Sequence, residues 1–439
     1  MTELVAAELV RFDFAGEGAG EDELSWGQQE IWLAMQRQRS WIPIGGPSTL
    51  RPGTTVDDIV DDLRYTIGRY QTMRTRLRFL PDGAVRQEVS ASGSFTIEVF
   101  DAPDDADPAE FAGAVFDWFR AWDFDYVKDW PLRVGVVRHR GALTHQVSVV
   151  THLVTDALGG VVMMAEVTRR EPAPVAGMQP LEQVRRQRSP AGRRQNEAAL
   201  RYWRRTLLTV PARTVPESAD RCEPRYREGL LHSPALRLAL GTLADRHGVD
   251  SATVLLAVFA AATARVTGVD PVVIRPIVGN RFWPGLADVV CPVNQAGLLV
   301  VDALGVAFPS LLDRVRGAVL STYKYASFDP LQLAATVAGV ERERGTAIDL
   351  SVLFNDRRTG DRAAPPAVVT LPQMASALAA TRFDWPVARD DPHEPLMVNV
   401  EDTEDALLVR IVFDTHHLAP ALAESWVRAM QTIAVAAAV

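Results

Sequence analysis

The sequence predicts a mixed α/β (α+β) protein built as two lobes, on three observations. At 439 residues the chain exceeds one ordinary domain and suits two of roughly 150–250 residues. Helical periodicities alternate with short, strand-like apolar runs in both halves. Between about Glu171 and Pro190 the periodicity fails while Pro172, Pro174, Pro180 and Pro190 accumulate, which marks a break. The expected partition is a first lobe over residues 1–175, a linker over 176–192 and a second lobe over 193–439.

Ser25 is a helix cap for the apolar run Ile31, Leu33, Ala34 and Met35, since its hydroxyl can accept from an otherwise orphaned backbone N–H. From Val56 to Leu77, Ile59, Val60, Leu63, Ile67, Tyr70 and Met73 recur at helical spacing. Aspartates stand in the early turns and arginines in the late ones, which complements the helix dipole. Strands are expected over Phe95–Phe100, Leu132–Val137 and His145–Val150, with an acidic loop and helix start after the first. An apolar helix should begin near Val161 and another run from about Arg193 to Leu208. Helices are then expected near Pro234–His247 and Asp250–Thr267, before a strand over Pro271–Val278. Residues 396–400 and 406–413 read as two antiparallel strands, and a helix from Ala419 closes the chain. No short-period repeat is present, so solenoids and propellers are disfavoured.

Composition excludes several function classes. A formal charge of -9 and a pI near 5.5 argue against nucleic acid, whose phosphates demand clustered Lys and Arg. Cys222 and Cys291 fit neither a CxxC spacing nor a disulfide framework, which suits a reducing cytoplasm. The first residues lack a signal peptide's basic start and apolar stretch. The most apolar segment, Ala252–Ala264, is uncharged for about 13 residues, short of the roughly 20 that span a membrane. No membrane role is expected. His416-His417 lacks companions at ligand spacing, so it reads as a surface turn, and no metal is expected.

Chemistry concentrates at one strand end. His145–Val150 runs into Thr151-His152-Leu153-Val154-Thr155-Asp156-Ala157-Leu158-Gly159-Gly160, and a strand end delivers side chains rigidly to a loop. His152 alone among the histidines combines that position with an acid four residues on. These residues by themselves leave a satisfied structural histidine open. An arginine run, Arg185, Arg186, Arg188, Arg193, Arg194, Arg201, Arg204 and Arg205, is either a solvated helix face or a surface that steers an acidic partner.

Eight stretches together carry a resemblance. Thr151–Ala157 resembles an HHxxxDG motif, matching at its second histidine and its aspartate. Leu24–Trp32 resembles an LSxxQxxLW helix, Arg69–Arg76 an RHxxLRT helix end, and Tyr202–Leu207 a YWxxxL helix. Gly279-Asn280-Arg281 resembles GNR, and Cys291–Gln295 is similar to GPFxNT. Phe328–Leu331 and Asp349–Asn355 fall where two later motifs belong. In collinear order from Leu24 onward, these resemble the motifs of the condensation-domain superfamily of nonribosomal peptide synthetases.

The resemblance implies two chloramphenicol acetyltransferase-like lobes forming a V-shaped pseudo-dimer with a central tunnel. It implies His152 as the catalytic residue, with Asp156 and Arg281 pairing from opposite halves to brace its loop. Thr151 stands where the family has a supporting histidine. Ala157 replaces a glycine and would be strained if that position needs positive φ. Asn294 and Gln295 either line the tunnel or close a strand. No cofactor is bound by the chain itself: 4'-phosphopantetheine arrives on peptidyl or acyl carrier proteins bearing donor and acceptor. The implied function is condensation-type acyl transfer by a monomer, on substrates activated elsewhere. The alternative is a degenerate module that binds a carrier or recruits an enzyme, and a third is transfer from a soluble coenzyme A thioester.

Overall fold

The computed structural model describes residues 4–358 and 369–439. Its described residues fall into two compact units, residues 4–36, 40–193 and 281–294 in the first and residues 37–39, 194–280, 295–358 and 369–439 in the second.

The first unit contains β1 (Glu8–Ala15), β2 (Gly20–Glu23), α1 (Trp26–Gln38), β3 (Pro43–Thr49) and α2 (Val56–Arg69). After a 3-10 turn over Gln71–Arg74 come β4 (Thr75–Phe79), β5 (Val85–Val89), β6 (Ser92–Ala102), α3 (Pro108–Arg120), β7 (Leu132–His139), β8 (Ala142–Thr151), α4 (Ala157–Arg169) and α5 (Pro180–Arg188). Five strands form one sheet in the order β1-β6-β7-β8-β3, with β2, β5 and β4 in a smaller one. The large sheet is antiparallel except at β6 and β7, which α3 connects. Strand alternation divides its side chains between two cores. Val147 and Val149 join Ile31, Met35, Val115 and Phe119 on one face. Val134 and Val136 join Ile59, Leu63 and Ile67 on the other.

Local chemistry sets the helix ends. Thr55 and Asp58 form a reciprocal capping box at the start of α2, an arrangement whose removal costs about 1 kcal/mol. The expected helix over Val56–Leu77 stops at Arg69, because Tyr70 is extended and residues 75–79 join a sheet. Tyr70 and Met73 stay buried through the 3-10 turn, so helical spacing persists where the α-helix does not. The expected linker over 176–192 includes α5, whose Leu181 and Val184 are buried. Pro180 opens it, at the position where a missing N–H does no harm.

The second unit takes most of α6 (Pro190–Leu207), then β9 (Tyr226–Ser233), α7 (Pro234–His247), α8 (Ser251–Thr267), β10 (Val272–Val278), β11 (Gln295–Ala296) and β12 (Leu299–Val301). Beyond these lie α9 (Phe308–Lys324), α10 (Pro330–Arg344), β13 (Val352–Asp356), α11 (Leu371–Ala379), β14 (Arg382–Arg389), β15 (Leu396–Asp402), β16 (Leu407–Asp414) and α12 (Pro420–Ala438). Its sheet runs β11-β10-β13-β15-β16-β9-β14, with β12 beside β10. The expected β15–β16 pair is present and antiparallel. Asp250 caps α8 through the Thr253 N–H at 2.8 Å, and Val254–Ala260 are all buried. Among the described residues no single helix is long and apolar enough to cross a membrane.

Candidate active site

Every part of this site lies in the first unit. At the end of β8 the Thr151 N–H donates to Pro131 O at 3.0 Å, and Thr151 O accepts from the Val154 N–H at 3.0 Å. The chain therefore leaves the strand in a tight turn, and His152 stands in it, half-buried. Its Nδ1 is 2.9 Å from Thr155 O. A carbonyl oxygen can only accept, so Nδ1 carries the hydrogen, and the neutral ring then has its lone pair on Nε2. That is the tautomer a proton acceptor needs at Nε2.

Asp156 ties the turn to the next helix and to a distant part of the chain. Its Oδ1 accepts from the Gly159 N–H at 2.8 Å and so caps α4, which starts four residues before the expected Val161. The same oxygen pairs with the Arg281 guanidinium. Oδ2 accepts from the Val293 N–H at 3.3 Å. Arg281 also donates to Val289 O at 2.5 Å. Both side chains of the pair are about nine-tenths buried, with 12% and 8% exposed.

The pair does not join opposite halves as expected: residues 281–294 belong to the first unit despite their place in the sequence. Two glycines show why. A Cβ on Gly27, in the first turn of α1, would stand 2.1 Å from Pro292 O, and one on Gly159 would stand 2.2 Å from Val290 O. Only bare backbone allows both helices to approach this segment so closely. Leu286, Val289, Cys291 and Val293 bury themselves beside it. The Cys291 thiol is pushed up to about 12 by burial, so it is a packing group and not a nucleophile.

The remaining expected residues divide. Ala157 is the exposed first residue of α4 and is not among the residues with positive φ. The anticipated strain is absent, because the Asp156 cap places residue 157 in ordinary helical backbone. Thr151 is fully buried with no hydrogen-bond partner for its hydroxyl among the described residues. Asn294 ends the returning segment, half-buried. Gln295 is buried in the second unit, where its amide donates to Phe328 O at 2.9 Å and accepts from Phe328 N–H at 3.3 Å, which is the strand-closing alternative. His417 Nε2 lies 2.7 Å from Ser351 Oγ. No group of His, Cys, Asp and Glu able to hold a metal occurs among the described residues. In the arginine run, Arg188 pairs with Asp22 and Glu23, and Arg204 with Glu343, while Arg185 and Arg193 are exposed.

Sequence reasoning missed the anchor at the far end of α4. Buried Glu166 accepts from Arg69 Nε at 2.7 Å and from the Tyr70 hydroxyl at 2.5 Å. Burial, with Glu166 adding to it, holds the Tyr70 phenol well above its usual value. Both ends of the helix after His152 are thus tied by a buried carboxylate and an arginine. The signal was present in Arg69-Tyr70, which lies within one of the motifs.

The condensation-domain family profile matches residues 49–437. The chain is 24% identical over 326 residues to the nonribosomal peptide synthetase kk1B of Curvularia clavata, an alignment covering 70% of this chain and 2% of that protein. It therefore spans a very small part of the curated relatives it matches. Among solved structures it resembles the condensation domain that mediates chain release from the enacyloxin polyketide synthase, with a TM-score of 0.69 at 20% identity, covering 94% of this chain and 82% of that one. It also resembles the X-domain from teicoplanin biosynthesis, with a TM-score of 0.70 at 17% identity, covering 96% of each chain. These likenesses show the fold, mixed α/β of the chloramphenicol acetyltransferase-like kind that the motifs implied. With a profile match over most of its length, the chain belongs to the condensation-domain family.

Proposed function

We propose that this chain is a condensation-type acyltransferase that joins an acyl group, held as a carrier-protein thioester, to an amine or a hydroxyl. With an amine, the acceptor nitrogen attacks the thioester carbonyl carbon, and His152 Nε2 takes the proton it loses as the C–N bond forms. The C–S bond then breaks and the proton passes to the departing sulfur, which leaves as the free thiol of the carrier's phosphopantetheine arm. Proton removal of this kind contributes roughly 10²- to 10⁴-fold, and alignment of the two reactants as much or more. Asp156 and Arg281 position the turn without touching the reacting atoms. The observation that carries the reading is the His152 Nδ1 contact with Thr155 O at 2.9 Å, which leaves basicity at Nε2.

In this reading the partners are peptidyl or acyl carrier proteins, and exposed Arg185 and Arg193 supply charge that attracts an acidic carrier. The chain acts as a monomer in the cytoplasm and brings no cofactor of its own. A second reading, a recruitment module without catalysis, is favoured by the departures at Thr151 and Ala157. The X-domain from teicoplanin biosynthesis, which has the same fold, forms a complex with OxyB. The experiment that separates them loads a carrier with donor, adds acceptor, and compares wild type with His152→Ala. Product from wild type alone supports the acyltransferase; equal product from the variant rejects the mechanism. Activity with a free thioester and no carrier would reassign the donor to a soluble coenzyme A ester.

A further inference from the structure

We infer that Thr151 and Thr72 hold an internal water molecule, and that this water fixes the end of β8 and the His152 turn in place of the imidazole that precedes the second histidine of the HHxxxDG motif. The water site stands on geometry alone; its effect on catalysis rests on the proposed role of His152.

A cleft in the first unit is lined by Gln28, Thr72, Arg76, Tyr126, Asp129 and Thr151, among others, and has a volume of about 10 Å³. That is close to the smallest space that holds one water, about 10–15 Å³. Thr151 is 0% exposed and Thr72 2% exposed. Neither hydroxyl has a hydrogen-bond partner among the described residues, and neither does Arg76 Nε. The Gln28 and Thr75 side chains and the Asp129 carboxylate are already engaged, the last by the Asp125 N–H at 3.0 Å. The Gln28 amide accepts from Ser25 N–H at 3.0 Å and donates to Gln87 at 3.4 Å, and the Thr75 hydroxyl donates to Gln71 O at 2.6 Å.

Buried polar groups in native proteins are satisfied, and internal water typically satisfies two to four of them. The three buried, unpartnered atoms here, Thr72 Oγ1, Thr151 Oγ1 and Arg76 Nε, are complementary to one molecule. Arg76 Nε–H can only donate, whereas each hydroxyl can donate or accept. A water that accepts from Arg76 and donates to the two threonines closes the set. Arg76 is well placed for this, since its guanidinium is held 3.6 Å over the Trp130 ring. Trp130 adjoins Pro131, whose carbonyl accepts the Thr151 N–H. The water therefore joins the 3-10 turn and β4, the segment before β7, and the end of β8, immediately ahead of His152. A histidine at 151 would put its own ring into this space; the shorter threonine side chain leaves room for water.

The test is a crystal structure of the wild-type protein together with amide hydrogen exchange over residues 150–155 in wild type, Thr151→Val and Thr151→Ser. We expect ordered water within about 2.7–3.2 Å of both threonine hydroxyls. Valine, isosteric but without a hydroxyl, should accelerate exchange at the turn roughly tenfold, while serine should restore wild-type protection. In acyl transfer, Thr151→Val should lower kcat with KM unchanged, and Thr151→Ser should recover it. No water at this position, equally slow exchange in Thr151→Val, or failure of serine to rescue would each overturn the inference. Water and exchange as expected in a wild-type protein that transfers no acyl group would uphold the water site and sink the acyltransferase reading alone.

Discussion

Two strand-to-helix turns in this molecule share a layout, and in only one of them does a backbone carbonyl accept from the histidine Nδ1. β8 ends on Thr151-His152 before α4, and β16 runs into Thr415-His416 before α12. Both threonines are fully buried, and each N–H donates at 3.0 Å to a carbonyl, of Pro131 or of Arg225. Each turn also holds an aspartate paired with an arginine. In the first, Asp156 lies after the histidine, caps the next helix and pairs with buried Arg281. In the second, Asp414 precedes the histidines, accepts from the His416 N–H at 2.9 Å and pairs with Arg225, whose side chain is 45% exposed. His152 donates from Nδ1 to a backbone carbonyl, whereas His417 Nε2 faces the Ser351 hydroxyl at 2.7 Å, a group that can donate or accept and so leaves the tautomer open. A strand-end histidine becomes a candidate base when the main chain fixes its tautomer with the lone pair on Nε2.

The largest effect should separate the two histidines. His152→Ala is expected to reduce acyl transfer about 10²- to 10⁴-fold with circular dichroism unchanged, whereas His417→Ala should leave turnover within about twofold and reduce stability only slightly, by about 1 kcal/mol for one lost hydrogen bond. Equal losses from both variants would erase the distinction between the turns. Next come the braces. Arg281→Ala strands a buried carboxylate and should destabilise the protein by about 3–5 kcal/mol in urea unfolding. Arg225→Ala, with a partly exposed arginine, should cost about 1 kcal/mol or less.

Acid sharpens the contrast from the second unit. Burial, with Arg389 adding to it, holds the His393 imidazole down to about 4. The unfolded chain binds that proton near pH 6.5 and the folded chain does not. Stability from this group is therefore complete above about pH 6.5 and falls, by at most about 3 kcal/mol, as pH drops towards 4. His393→Gln should flatten that part of the unfolding profile. The last pair of variants concerns close approach, and the smaller effect of the two is at Gly160. Gly159→Ala should cost about 1–3 kcal/mol, since its methyl meets Val290 O. Gly160→Ala, with nothing within 4 Å, should be neutral or stabilise by up to about 1 kcal/mol.

Much of the fold was legible where a short-range signal and its structural cause coincide. Val147 and Val149 alternate with half-buried neighbours in β8 because the sheet is covered on both faces. Asp250 caps α8 because its carboxylate reaches the Thr253 N–H. His152 and Asp156 stood out at a strand end, but the pairing of Asp156 with Arg281 was legible only through motif resemblance, since nothing in local periodicity brings residue 281 to residue 156. What remained hidden is long-range. The placement of 281–294 depends on bare backbone at Gly27 and Gly159, and a glycine in sequence does not reveal what approaches it. α5 was obscured because prolines near it suggested a linker, although Pro180 only opens the helix. β1 escaped notice although Phe12 and Phe14 alternate with exposed residues along it, a period-two pattern that would have found it.

The tautomer of His152 tests the central claim most directly, by nitrogen-15 correlation spectroscopy of the neutral imidazole in the intact protein. The account predicts a protonated Nδ1, donating to the Thr155 carbonyl, and a lone pair on Nε2. A ring carrying its proton on Nε2 would contradict it, because the nitrogen assigned to accept the acceptor's proton would already hold one.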